Sequence, residues 1–288
     1  MRVFWNDRFV DEADVRISFD DRGFLFADGV YEVIRLYHGR PYRLAAHLDR
    51  LERSQRGILL EPVERRRLED AVADLAAREG REAPDSIIYI EITRGASPRA
   101  HSFPDPPVPP TVVAWCRAVV PPAPERVRDG IAVVTVPDDR WAQCWIKTVN
   151  LVANVVAKER ARRAGAEDAR FVRDGMVLEG TASNLFIVEG GVLRTAPVTN
   201  YILPGVTRAA LLDLAASAGL DVRLEPFRIE ELMAADEVFL SGTTTEVLPI
   251  AVVDGRRISD GLGPAARRLG DALRADAGLP PREVAARA

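Results

Sequence analysis

The chain has 288 residues, 47% of them apolar, enough for one large core or two moderate ones, and two domains suit that length better. Its 39 basic and 43 acidic residues are intermixed and leave a formal net charge of −4, with no basic tail or acidic block, which argues against nucleic acid and anionic membrane as partners. Two cysteines, Cys116 and Cys144, are too few for a disulfide framework, the amino-terminal "MRVFWNDRFVDEADVR" lacks the apolar stretch of an export signal, and no apolar run approaches the ~18 residues of a spanning helix, so a reducing cytoplasm is the expected compartment.

In chain order, "VFWNDRFV" sets Asn6-Asp7 between two β-prone runs and "VYEVIRLYHGRPYRL" sets His38-Gly39 between two more, so both read as hairpins, the first of an antiparallel sheet. A helix follows from Leu44 through "AAHLDRLERSQRG" to Gly57. In "PVERRRLEDAVADLAARE" the residues Val63, Leu68, Val72 and Leu75 recur at helical intervals, with Pro62 ahead and Gly80 behind, which predicts a helix packed on a core. "SIIYIEITRG" and "PTVVAWCRAV" are strands flanking a proline-rich loop, "ASPRAHSFPDPPVPP". The stretch "VVPPAPERVRDG", near 119–130, has linker composition. It divides the chain into a small amino-terminal domain, 1–120, a linker, 121–130, and a larger carboxy-terminal domain, 131–288. The last holds the strand "GIAVVTVP", the helix "NLVANVVAKERARRAG" ending at Gly165, and hairpin turns at Asp174-Gly175 and Gly190-Gly191. A glycine-opened helix in "LPGVTRAALLDLAASAG", the strand "DEVFLSGTT" and a turn at Asp254-Gly255 follow. Beyond Pro264 the chain reads as an Ala/Arg-rich helix with no chemistry in it.

Only Lys147 and Lys158 are lysine, so 39 − 2 = 37 of the basic residues are arginine. In a chain that writes arginine for a plain positive charge, lysine at 147 marks a place for an amine that can lose its proton and attack a carbonyl, which a guanidinium cannot do. Lys158 shows that a surviving lysine can equally be a surface charge. Glu179, in "VLEGTASNLF", leads from a hairpin turn into a wholly apolar strand; a buried carboxylate there needs a partner such as a ring nitrogen, while an exposed hairpin glutamate is the plainer reading. "LPGVTR" puts Gly205, Val206 and Thr207 at a helix start, which suits a phosphate or an ordinary cap. "SGTTTE" ends a strand in Thr243, Thr244 and Thr245, hydroxyl donors of the kind phosphate oxygens accept. Arg50, in "HLDRL", is either a solvated charge or another phosphate contact.

The segments "DRGFLFADGVYEVIR", "HLDRL", "IKTVNLVANVVAK", "EGTASNLF", "LPGVTR" and "SGTTTEV" resemble, in order and spacing, the fold-type IV pyridoxal-phosphate enzymes, a group of branched-chain aminotransferases, D-amino-acid transaminases and aminodeoxychorismate lyase. The resemblance extends from about residue 4 to about residue 260. It implies an α+β (mixed α/β) fold with a small amino-terminal α/β domain and a larger carboxy-terminal pseudo-barrel domain. It also implies pyridoxal 5′-phosphate as cofactor, Lys147 as its Schiff-base lysine and proton shuttle, and Glu179 as the carboxylate on the pyridine nitrogen. Arg50, Gly205, Val206, Thr207, Thr243 and Thr244 would form the phosphate cup and Leu203 would pack on the ring. Asn184 and Ser183 would be polar neighbours, Ser183 in support.

Within that group, "TRGASPRAHSFP" and "GVYEV" look like the D-amino-acid transaminases, which makes Tyr31, Arg99 and His101 the trap for the substrate α-carboxylate. An arginine fork suits a carboxylate, and Arg99 and His101, two apart on extended chain, point the same way. The implied activity moves the amino group of a D-amino acid, D-alanine or a relative, to an α-keto acid such as 2-oxoglutarate. An L-branched-chain aminotransferase and, less favoured, an aminodeoxychorismate lyase are the alternatives. The resemblance further implies a homodimer with small-molecule substrates and no nucleic acid, membrane or metal. Ala182 and Gly242 depart from the pattern, standing where close relatives often have serine, which puts one hydrogen bond at or behind the phosphate in question without threatening the chemistry. His38 and His47 read as structural.

Overall fold

The computed structural model describes residues 1–79 and 85–284, and the chain divides into two compact units: Met1–Val120 with Ile146–Leu151, and Pro121–Trp145 with Val152–Ala288. The first is built on a six-stranded antiparallel sheet in the order Arg8–Asp11, Arg2–Trp5, Thr111–Ala118, Asp85–Thr93, Gly29–Tyr37 and Arg40–Pro41. Alternation along Asp85–Thr93 buries Ser86, Ile88, Ile90 and Ile92 and leaves the residues between them half-buried, the period-2 pattern of a strand with one packed face. Helices Leu44–Gly57 and Arg65–Arg78 bury Leu48, Leu51, Leu68, Val72 and Leu75 in that unit. The hairpins turn at Asn6 (φ 55°) and at His38-Gly39 (φ 49° and 75°), left-handed positions that asparagine and glycine tolerate. Gly80, expected behind the second helix, lies outside the described residues.

Ile146–Leu151 joins this first unit from a distant part of the sequence. Thr148 forms an isolated bridge with Val30, the Tyr31 N–H donates to the Lys147 carbonyl at 2.9 Å, and the Val149 N–H donates to the Gly29 carbonyl at 3.1 Å. This differs from the expected division at residues 121–130, which left Lys147 with the carboxy-terminal domain. The expected linker is also not wholly irregular: Pro124–Asp129 is a short helix that Pro124 can open, since its missing N–H would have had no partner there.

Six strands of the second unit close on themselves. Asn184–Glu189, Glu237–Gly242, Glu246–Val253, Ile131–Pro137, Asp168–Arg173 and Met176–Gly180 pair in succession, and the last returns to the first through the single pair Glu179–Asn184. Ile131–Pro137 runs parallel to both neighbours; the other pairs in the ring are antiparallel. This is the expected pseudo-barrel, in a mixed α/β fold. Val133, Val177, Leu185, Ile187, Leu240 and Ile250 belong to one buried cluster, each worth about 1.5–3 kcal/mol when fully buried. Helix Val152–Arg163 packs Ala157 and Ala161 with Val136, Ala169 and Phe171 in a separate cluster. Among the described residues no helix is long and apolar enough to cross a membrane.

Candidate active site

In the first unit, Lys147 is half-buried and its Nζ lies 4.2 Å from the centroid of the Tyr31 ring, a cation–π distance. Its backbone is fixed on both sides: the Lys147 N–H donates to Ser54 Oγ at 3.1 Å and its carbonyl accepts the Tyr31 N–H. Tyr31 is itself held, its ring stacked on Tyr89 at 5.5 Å, and Tyr89 is stacked on Trp115 at 5.0 Å. Strand alternation turns the next side chain, Glu32, to the opposite face, where it is fully buried.

Glu32 accepts hydrogen bonds from Arg50 Nε at 2.9 Å and Arg50 Nη2 at 2.6 Å, and His47 Nδ1 stands 3.0 Å from the same carboxylate. His47 and Arg50, three apart on Leu44–Gly57, face Glu32 together. Burial alone would raise the Glu32 carboxyl, but Arg50 and His47 reverse that and hold it well below the ordinary carboxylate range. Burial lowers His47, against the pull of Glu32 and with help from Arg50 and Lys147, so the imidazole is neutral near pH 7. An ionised Glu32 only accepts, so the His47 proton sits on Nδ1. Arg50, the expected phosphate contact, also forms a bidentate pair with Glu32 through Nε and Nη2, which fixes the plane of its guanidinium. Glu32→Gln should destabilise the protein by roughly 3–5 kcal/mol near neutral pH, because it leaves a buried guanidinium without its carboxylate. A group lowered on folding contributes stability above its ordinary value of 4.5 and loses it as the pH falls below that. Urea unfolding should therefore show the gap between parent and variant narrowing on acidification; a gap that stays constant would count against the ion pair.

In the second unit, Glu179 and Asn184 form the pair that shuts the ring of strands. Glu179 Oε1 accepts from Arg140 Nη1 at 2.5 Å, and Oε2 accepts from the Leu203 N–H at 2.9 Å and Asn184 Nδ2 at 3.2 Å. Asn184 Nδ2 also donates to the Leu203 carbonyl at 2.9 Å. Arg140 divides its charge: Nε donates to Asp138 at 2.8 Å, Nη2 to the Tyr201 carbonyl at 3.0 Å, and the guanidinium lies 4.0 Å from the Phe171 ring centroid. Burial therefore prevails at Glu179, pushing its carboxyl up to about 7 against the pull of Arg140 and the Leu203 N–H. Such an acid can hold or release a proton near neutrality. Burial pushes the nearby Cys144 thiol up to about 11, which keeps it a protonated, inert side chain.

Helix Val206–Leu214 begins beside this group. Its N-cap is Gly205, which offers no side-chain cap, so among the described residues the first-turn N–H groups of buried Val206 and Thr207 have no capping side chain. A Cβ at Gly205 would stand 2.0 Å from Asn184 Oδ1, so glycine is what lets the Asn184 amide reach Leu203 and Glu179. Gly205→Ala should displace that amide and cost about 1–3 kcal/mol, read as a lowered midpoint in denaturant unfolding. An unchanged midpoint would mean that Asn184 can move freely. Thr243, Thr244 and Thr245 form the turn between Glu237–Gly242 and Glu246–Val253, and the Oγ atoms of Ser241 and Thr245 are buried with no partner among the described residues. Ser183 accepts the Gly180 N–H through its carbonyl at 2.8 Å. An uncapped helix start with unsatisfied hydroxyls in the same unit suits a phosphate, and a buried acid titrating near 7 suits a heteroaromatic nitrogen.

Arg99 and His101 are exposed and flank Phe26, with the Arg99 Cζ 5.2 Å and the His101 ring 5.6 Å from its centroid. Among the described residues, neither makes a hydrogen bond or ring contact with Tyr31, so one chain joins two members of the expected carboxylate trap and not the third. Glu32, Arg140 and Asp138 were not foreseen. Asp138 and Asp139 precede Arg140, but among 37 arginines that signal carries no weight.

The family model for amino-transferase class IV matches residues 29–253. The chain belongs to the class IV aminotransferases. A D-alanine aminotransferase of Staphylococcus epidermidis is 40% identical to it over 279 residues, covering 93% of this chain and 95% of the relative. Among solved structures, the branched-chain aminotransferase of Thermoproteus uzoniensis with norvaline superposes with a TM-score of 0.85 at 27% identity, covering 95% of this chain and 93% of that one. A hypothetical aminotransferase from Mycobacterium tuberculosis in its PLP-bound form gives 0.84 at 26% identity, covering 96% and 98%. The expected family and fold are those found. In this class IV aminotransferase the matched region includes Tyr31, Arg50, Arg99, His101, Lys147, Glu179 and the helix start at Gly205.

Proposed function

We propose that this class IV aminotransferase is a pyridoxal-phosphate-dependent transaminase that passes the amino group of D-alanine or a related D-amino acid to an α-keto acid such as 2-oxoglutarate. The observation that carries the reading is Glu179: a buried carboxyl with three donors, still poised near neutrality, in the same unit as an uncapped helix start. Pyridoxal 5′-phosphate, when bound, supplies an aldehyde that takes up an amino group and a pyridine ring that withdraws electrons from the carbon losing its proton. Lys147 would hold the cofactor through Nζ and, once displaced by the substrate amine, carry the α-proton on that nitrogen. Glu179 would keep a proton at the ring nitrogen, with Arg140 and Asn184 holding its two oxygens in place. Gly205, Val206, Thr207, Thr243, Thr244 and Arg50 would hold the phosphate, Leu203 would pack on the ring, and Ser183 and Asn184 would flank it.

The Arg99 fork with His101 and Tyr31 would bind the α-carboxylate. The D-alanine aminotransferases among the relatives support that substrate, while the branched-chain enzymes among the solved structures keep L-branched-chain amino acids as the alternative. Because Arg99 and His101 stand exposed in a chain that also exposes Phe19, Phe24 and Phe103, the proposed working form is a homodimer in which a second copy covers the loop. The two free, buried cysteines fit the proposed cytoplasmic setting. Supplying the protein with pyridoxal 5′-phosphate, D-alanine and 2-oxoglutarate is the test, and pyruvate should form in step with glutamate. Turnover of L-leucine alone would transfer the assignment to the branched-chain reaction, and pyruvate release from aminodeoxychorismate without an acceptor would mark the lyase.

A further inference from the structure

None of the proposed roles uses Arg170, a fully buried cation on the strand Asp168–Arg173. It pairs across the ladder with Gly180, where an added Cβ would lie only 1.6 Å from Arg170 Nη1; the guanidinium occupies the space that a side chain at 180 would need. Nη1 is engaged, 2.9 Å from Asp168 Oδ2 and donating to Ser183 Oγ and the Ala169 carbonyl at 3.2 Å each. Nε and Nη2 are buried with no acceptor among the described residues. Asp168 offsets the charge only in part, because it also takes Lys158 Nζ at 3.4 Å and the Thr181 hydroxyl. Two unsatisfied donors on a buried cation call for water or an anion beside them.

Ser183 leads from this cation to the threonine turn. A Cβ at Gly242 would stand 3.9 Å from Ser183 Cβ, 3.5 Å from the Ala182 carbonyl and 3.0 Å from Thr245 Oγ1, itself a buried hydroxyl without a partner. Ala182 and Gly242 bring no hydroxyl to this corner. The corner therefore holds a cation with spare donors on one side of Ser183 and an unsatisfied hydroxyl on the other.

We propose that Arg170 is a positioning residue for the phosphate group: through Ser183 it supplies the Thr243–Thr245 turn with the charge and the oriented hydroxyl that serines at 182 and 242 would otherwise bring. The inference rests on the pyridoxal-phosphate reading. Its test uses full-length protein stripped of cofactor and titrated calorimetrically with inorganic phosphate and, separately, with pyridoxamine 5′-phosphate, neither of which bonds covalently to Lys147. Arg170→Met should weaken both by about tenfold or more. Adding Gly242→Ser should recover part of that loss, since serine returns a hydroxyl next to Thr245 and its Cβ meets no atom nearer than Thr245 Oγ1 at 3.0 Å. A lowered melting temperature with unchanged phosphate affinity would show Arg170 to be a packing residue and overturn the proposal. Should Arg170→Met fail to fold, Arg170→Gln keeps the polarity without the charge and carries the same two outcomes. If the parent itself binds neither probe, the cofactor reading fails; if the parent binds both and every variant matches it, only the role of Arg170 does.

Discussion

Lys147→Arg should lower transamination by at least about 10⁴-fold, roughly 5–6 kcal/mol of barrier, while leaving the melting temperature nearly unchanged. The expectation follows from what the substitution spares. A guanidinium keeps the positive charge over the Tyr31 ring, and the backbone bonds to Ser54 and Tyr31 do not depend on the side chain. Only the capacity to become a neutral nucleophilic amine is removed. Lys147→Ala should be similarly inactive but regain a measurable rate with added methylamine, which replaces the missing base in solution. Lys158→Arg keeps the charge beside Asp168 and should stay within about twofold of the parent. Steady-state rates with D-alanine, together with peptide mapping after borohydride reduction, decide the matter. A Lys147→Arg protein that retained a tenth of the parental rate would remove the amine from the mechanism.

The second large effect belongs to Glu179→Gln, which should reduce the rate by about 10²–10³-fold, some 3–4 kcal/mol, because a glutamine cannot hold a ring nitrogen in its protonated form. It should also change how stability depends on pH. The Glu179 carboxyl rises from an ordinary 4.5 to about 7 on folding, so the folded protein binds the proton more tightly than the unfolded chain does. Its contribution is fully present below 4.5 and is lost as the pH rises through about 7. For cofactor-free protein this amounts to a loss on the order of 3 kcal/mol between those limits. Glu179→Gln should lack this slope. In the loaded enzyme a cationic ring nitrogen would favour the carboxylate, and the slope should shrink. Denaturant unfolding across the pH range tests both statements, and a parental slope in the variant would assign the effect to another group.

Local chemistry made much of this legible. The turns at Asn6, His38-Gly39, Asp174-Gly175, Gly190-Gly191 and Asp254-Gly255 fall where the sequence places residues that accept positive φ, and all of them take it. The helices Leu44–Gly57 and Pro264–Asp276 follow apolar spacing and end markers. What escaped depends on distance along the chain. Ser54 and Lys147 are 93 residues apart, and no local pattern says that Ile146–Leu151 packs with the first unit. The short helix Arg22–Phe26 and the four-residue strand Asp221–Leu224, which pairs in parallel with Val192–Thr195, are too brief to show a period. Arg140 and Arg170 were hidden by composition: when arginine is the default cation, its identity says nothing about which copies are buried.

The ring of strands in the carboxy-terminal half shuts through one rung, and that rung carries the acid. Zipping the barrel and creating a competent proton holder are therefore one event. A chain stalled short of closure would leave Glu179 in water, where it titrates like any other glutamate, and it would offer a heterocycle nothing to recognise. Vitamin B6 phosphate added during renaturation should then act as a ratchet, drawing almost-shut molecules over to the native side in proportion to its concentration.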